Sequence, residues 1–204
     1  MENLYIFPYN GNGIEALDCL SNHYNLLGFI DDTPEKQGVN EYGLSVFSRK
    51  NIKDKDAVVL AVPGSPTSYK IRKQIIDSLE IPIEKFATVI HPNASVSPLA
   101  KIGKNVLIMA GVVITSNAII EDHVCILPNT VIHHDVVVGK YSLIGSNISI
   151  AGSTKIGENC YIGSGTKIMN GLSIGDRTLV GLGTNIIRSI PNDSKVVGNP
   201  ARIL

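Results

Sequence analysis

From Val96 to Ile186 every sixth residue is Ile or Val, sixteen positions in succession, in a chain where about one residue in five is of either type. A second track two residues earlier holds small or modest side chains such as Ala94, Ala118, Thr130, Cys160 and Thr184. Gly often follows the aliphatic, as at Gly103, Gly139, Gly145 and Gly163. A period of six fits neither a helix of 3.6 residues per turn nor an indefinitely extended strand, so the backbone must turn a corner once per repeat. Each repeat therefore reads as a short strand and a turn, with the aliphatic inward and the small residue filling the corner. Gly is expected to supply backbone angles that a Cβ forbids. Three sides close a coil of 18 residues. Roughly five coils at the ~4.8 Å spacing of paired strands predict a parallel β-helical prism about 24 Å tall, its core a stack of Ile and Val.

The repeat claims only the second half of a 204-residue chain, so two units are expected, residues 1–92 and 93–204. The first reads as a small Rossmann-like α/β unit with a parallel sheet. A strand over Leu4 to Phe7 runs into Pro8-Tyr9-Asn10-Gly11-Asn12-Gly13 and a helical stretch from Ile14 to Leu20. That order presents a helix N-terminus to the phosphate of a nucleotide-type ligand, the alternative being a glycine turn without a ligand. A strand from Asn25 to Ile30 ends in Asp31-Asp32, where acidic side chains can bond ribose hydroxyls or a base or can simply be solvated. The apolar strand Asp56 to Val62 runs into Pro63-Gly64-Ser65-Pro66, a further turn at the same sheet edge. A helix carrying Ile71, Ile75, Ile76 and Leu79 on one face and a last strand, Phe86 to Ile90, complete the unit.

Composition removes several classes of partner. Lys and Arg number 18, as do Asp and Glu, so there is no basic field for nucleic acid or an anionic membrane. No apolar run reaches the ~20 residues of a membrane span, and nothing resembles a signal peptide, so a cytoplasmic protein is expected. Cys19, Cys125 and Cys160 show no CxxC pairing for metal or redox chemistry.

Five histidines remain: His23, His91, His123, His133 and His134. His23 and His91 sit in connections. His123, three residues past an in-phase Ile, is expected on the prism surface. His133 and His134 crowd a corner directly after Ile132, and Asp135 follows. A carboxylate beside an imidazole fixes its tautomer and stabilises the imidazolium, as a general base requires; the alternative is a polar corner with no chemistry.

The prism, the preceding α/β unit, the run Val131-Ile132-His133-His134-Asp135-Val136-Val137-Val138-Gly139 and the ending Val197-Gly198-Asn199-Pro200-Ala201-Arg202 together resemble the NeuD/PglD group of hexapeptide-repeat sugar acetyltransferases. The resemblance implies left-handed coils, against the usual hand of parallel crossovers. It also implies a homotrimer that transfers acetyl from acetyl-CoA, without a metal, to the amino group of a nucleotide-linked sugar. His134 would be the general base and Asp135 its partner. Asn10, Gly11, Asn12, Asp31, Asp32 and Gly64 would hold the nucleotide sugar, and Gly152, Ser164 and Leu182 the coenzyme. The chain departs from the group's pattern at Pro8, Asn12, Leu127 and Leu143. O-acetylation of a sialic acid or related sugar is the alternative. A metal hydrase using His123, His133 and His134 would need a different histidine spacing, since 123 and 134 are not one coil apart, and a non-enzymatic scaffold would not bind coenzyme A.

Overall fold

The computed structural model describes residues 1–51 and 56–204. Between Val89 and Ile186 the chain forms two-residue strands at every sixth step, and from Val96 onward each ends on the predicted aliphatic. They gather into three parallel faces. The first contains Val89–Ile90, Leu107–Ile108, Cys125–Ile126, Leu143–Ile144, Tyr161–Ile162 and Leu179–Val180. The second contains Val131–Ile132 and Ser149–Ile150, and the third Val137–Val138 and Lys155–Ile156. Registers advance by 18 residues, as in Val131 beside Ser149. Ile132, Val138, Ile144 and Ile162 are fully buried in one core. The expected parallel β-helix is thus present. The last coil is shorter: Ile190 rather than a residue 18 further on bridges Ile174.

The small-residue track does more than fill corners. Thr130 Oγ1 donates to Gly145 O at 2.7 Å and Ser142 Oγ to Gly157 O at 2.8 Å, so a buried hydroxyl ties one coil to the next. Cys160 uses its thiol in the same way toward Gly175 O.

The glycines have a different reason from the expected one. Gly103, Gly139, Gly145 and Gly163, just past the aliphatics, are absent from the residues with positive φ. They are needed because coils stack too closely for a side chain: a Cβ on Gly145 would lie 2.6 Å from Ser164 N, and one on Gly139 2.6 Å from Gly157 C. The left-handed backbone falls two residues later, at Asn105, Asn117, Asn129 and Asp135 (φ 56, 61, 61 and 59°) and at Gly111, Gly165 and Gly183. Asn and Asp tolerate that region better than most side chains.

Residues 1–61 contain a sheet of β1 (Glu2–Phe7), β2 (Tyr24–Ile30), β3 (Gly38–Val39), β4 (Ser45–Phe47) and β5 (Val58–Ala61), ordered 3-4-2-1-5. Pairings are parallel except β3 with β4. The helices are short: α1 spans Gly11–Glu15 and α2 spans Arg72–Asp77, each continued or preceded by a 3-10 turn. Leu4, Ile6, Phe29 and Leu60 share one buried cluster with Leu107, Met109, Cys125 and Leu143, so the sheet packs on the first face of the prism. The stretch expected as the sheet's last strand is split. Phe86 bridges Val59, whereas Val89–Ile90 pairs with Leu107–Ile108 as the first prism strand. No helix among the described residues is long and apolar enough to cross a membrane.

Candidate functional site

His134 stands at the corner between the second and third faces, two residues past buried Ile132. In a straight strand, adjacent side chains point to opposite sides. Asp135 adopts left-handed φ, and the corner brings its carboxylate round to the imidazole: His134 Nδ1 and Asp135 Oδ2 are 2.8 Å apart. The hydrogen bond from His134, and then one from Asn117, hold Asp135 below the usual carboxylate range. A carboxylate only accepts, so Nδ1 carries the proton of the neutral ring and the Nε2 lone pair is free.

Two neighbouring coils complete this arrangement. Asn117, 18 residues before Asp135, donates Nδ2 to Asp135 Oδ1 at 3.2 Å. Gly152, 18 residues after His134, lies against the ring: a Cβ there would be 2.5 Å from both Cε1 and Nε2. The resemblance assigned Gly152 to the coenzyme, and the structure places it against the imidazole. Asn117 was not among the sequence candidates, although its distance of one coil from Asp135 was a readable signal. The side chains of His134 and Asp135 are 62% and 51% exposed in the single chain, and His133 is exposed beside them.

Of the residues expected to hold a nucleotide sugar, Asn12, Asp31, Asp32 and Gly64 line two clefts that share Gly64. One, of about 230 Å³, lies between the 63–66 turn and the prism and is lined by Asn12, Gly64, Ser65, Leu127, Leu143 and Tyr161. Gly64 has φ +129°, and a Cβ there would meet Leu143 Cδ1 at 2.7 Å, so the turn closes on the prism only without a side chain. The other cleft, of about 350 Å³, is lined by Asp31, Asp32, Lys36, Arg49, Pro63 and Gly64. Its two carboxylates are already engaged. Asp31 bonds Lys36 Nζ at 2.9 Å and Thr33 N at 3.0 Å; burial opposes its ionisation, but these donors outweigh burial and hold its pKa low. Asp32 takes Arg49 N at 2.8 Å and the Arg49 guanidinium, with the same outcome. Asn10 borders neither cleft and caps α1, its Oδ1 accepting from Gly13 N at 2.9 Å. Gly11 is exposed with open space around it.

Ser164 and Leu182 stack one coil apart at the corner between the first and second faces, beside Gly145 of the smaller cleft. Ser164 Oγ accepts from Ser146 N at 3.0 Å, and Leu182 is 73% exposed. His134 and Gly152 occupy the next corner. One chain therefore does not bring its imidazole to its own clefts.

His123 is a correction. It is not a surface residue but is 6% exposed, stacked on Tyr141 at 4.7 Å and edge-on to Phe86 at 5.1 Å. The N-terminal unit covers this corner, a contact no local pattern reveals. Asn105 Oδ1 accepts from Ala61 N at 2.7 Å, which fixes its amide; its Nδ2 then donates to Ala61 O and to His123 Nδ1, each at 2.9 Å. The fully buried Arg72 donates to Pro63 O at 2.7 Å and to His123 O. Burial, reinforced by Arg72, pushes the His123 pKa down to about 4. Among the described residues no group of three or more His, Cys, Asp and Glu is arranged to hold a metal.

A family model described as the GMPPB C-terminal domain matches residues 85–179. No curated protein matches the chain. Among solved structures, the acetyltransferase domain of PglB from Neisseria gonorrhoeae FA1090 is similar at 26% identity and TM-score 0.87, covering 100% of both chains. The same domain is similar in complex with acetyl coenzyme A, at 26% identity and TM-score 0.87, covering 100% of this chain and 99% of that one. PerB from Caulobacter crescentus, in complex with CoA and GDP-perosamine, shares the fold at 23% identity and TM-score 0.84, over 100% of this chain and 97% of that one. WeeI from Acinetobacter baumannii AYE also shares it, at 24% identity and TM-score 0.84 over 100% of both chains. The chain thus has the fold of these proteins from end to end.

Proposed function

We propose that this protein is an acyltransferase that moves the acetyl group of acetyl-CoA to the amino group of a nucleotide-linked aminosugar, with His134 as general base. The observation that carries the reading is the 2.8 Å bond from His134 to Asp135, which leaves Nε2 free at a prism corner. The likeness to a PglB acetyltransferase domain that binds acetyl coenzyme A supports it. The sugar amine loses its proton to Nε2 as its nitrogen attacks the thioester carbon. The tetrahedral intermediate then collapses, and the departing CoA thiolate recovers the proton from the imidazolium. General-base catalysis of this kind contributes roughly 10²- to 10⁴-fold. No covalent acyl-enzyme is required.

In this reading residues 1–92 form the Rossmann-like nucleotide-sugar unit and residues 93–204 a left-handed acetyltransferase unit of the NeuD/PglD kind, working in the cytoplasm. The clefts beside Gly64 receive the sugar nucleotide, and the corner of Ser164 and Leu182 receives the coenzyme. A homotrimer belongs to this reading: cleft and base sit on different corners of one chain, so a neighbouring copy would supply one of them. Exposed Leu182, Met169 and Ile187 offer apolar surface for that contact.

The test is acetyl transfer by purified protein to a panel of UDP-, dTDP- and GDP-linked aminosugars beside free sialic acid. The expected result is CoA release with one aminosugar nucleotide, lowered at least a hundredfold in His134→Ala with oligomer mass and melting temperature retained. Release dependent only on sialic acid would favour O-acetylation. A fully active His134→Ala would remove the base assignment.

A further inference from the structure

We propose that Asn117 is a positioning residue for the base, fixing the Asp135 carboxylate so that one oxygen always faces His134 Nδ1. The inference rests on the functional reading above in calling the imidazole a base; the positioning itself does not.

A single bond between two side chains that are each more than half exposed is weak and loosely oriented. Left to itself, a carboxylate at such a corner rotates and exchanges its partner for water. Here each oxygen has its own donor: Oδ1 takes the Asn117 amide at 3.2 Å and Oδ2 faces Nδ1 at 2.8 Å. The amide must turn its NH₂ toward Asp135, because a carboxylate has no proton to give. The two coils are locked at this point by the bond from Asp135 N to Ser116 O, 3.1 Å. Asn117 thereby acts on the imidazole through Asp135.

The competing explanation is that position 117 holds Asn only because the corner needs left-handed backbone. Equivalent positions argue against it. Gly111, Gly165, Gly171 and Gly183 serve the same turn with no side chain, while His123, Tyr141, Ser153 and Arg177 serve it with very different ones. The turn does not require an amide.

Asn117→Gly keeps the backbone conformation and removes only the amide. The first readout needs no substrate: ¹⁵N chemical shifts of the imidazole report which nitrogen is protonated. In the wild type His134 should carry its neutral-form proton on Nδ1, and in Asn117→Gly the population should move toward the Nε2-protonated tautomer. Identical tautomer populations would overturn the proposal. The second readout is kinetic. Asn117→Gly should lower kcat roughly tenfold while both KM values and the melting temperature stay near wild type. Asn117→Asp, which adds a charge close to the pair, should move the acid limb of the kcat/KM profile upward by roughly half a pH unit. Unchanged kcat in Asn117→Gly with an unmoved acid limb in Asn117→Asp would also overturn it. A tautomer change in a protein that acetylates no aminosugar would leave the positioning intact and reject the function.

Discussion

Gly152→Ala is the sharpest perturbation of the site, because it adds one methyl group at a known distance. A Cβ on residue 152 would lie 2.5 Å from His134 Cε1 and Nε2 and 3.0 Å from Cδ2. Ordinary contact begins near 3.4 Å, so the ring must retreat by about 1 Å, enough to break a hydrogen bond of 2.8 Å to Asp135. A misplacement of about 1 Å costs on the order of 10²-fold in a positioned reaction. The fold should hardly notice. Gly152 has no left-handed φ to lose, and the side chain that must yield is 62% exposed. Steady-state assays should therefore show kcat down roughly a hundredfold with a melting temperature within a few degrees of wild type. The double variant Gly152→Ala/His134→Ala supplies the control. If the methyl acts through the ring, the double variant is no worse than His134→Ala alone. Wild-type turnover in Gly152→Ala, or losses that simply multiply in the double variant, would refute the reasoning.

His123 predicts a pH dependence of stability. Its folded pKa, about 4, lies below the 6.5 of the free side chain, so the stability is fully present above pH 6.5. It is lost as pH falls toward 4, because there the unfolded chain takes up a proton that the folded one refuses. The window corresponds to about 3 kcal/mol. Urea midpoints between pH 8 and 5 should show it, and His123→Gln, which keeps an acceptor for Asn105, should flatten it; an equally steep variant would exclude His123 as the source. Asp31→Ala/Asp32→Ala should raise KM for the sugar nucleotide far more than for acetyl-CoA, here by releasing Lys36 and Arg49 and loosening the cleft. Equal rises in both constants would contradict the placement of the sugar nucleotide.

The prism was legible because its cause is local and repeated: one inward aliphatic per side leaves a period no helix or flat strand can imitate. The pairing of His134 with Asp135 was visible as adjacency, but contact depended on the left-handed turn at Asp135. That turn had its own track, with Asn105, Asn117, Asn129 and Asn147 falling in phase three residues past the aliphatics. The glycines one residue past the aliphatics mask it, because they mark close stacking and not left-handed backbone. His123 was unreadable for a different reason. It shares that track, and only the packing of Phe86 and the reach of Arg72, 51 residues away in sequence, bury it. The carboxylates of Asp31 and Asp32 were located correctly at the sheet edge, yet their ion pairs arise from Lys36 and Arg49, whose positions depend on loop geometry.

The 18-residue circuit also limits how such a chain can change length. Asn117 meets Asp135, and His134 meets Gly152, through one full circuit each. Inserting or deleting a single residue between 117 and 152 would shift one partner of a pair out of register by one position, whereas removing a whole circuit elsewhere would leave both meetings intact. Near the end of the prism the spacing does relax. Ser173 N bonds Ser189 Oγ, and Arg177 bonds Asp193, over 16 residues instead. A two-residue contraction is accommodated at that end, past the last circuit that the imidazole touches.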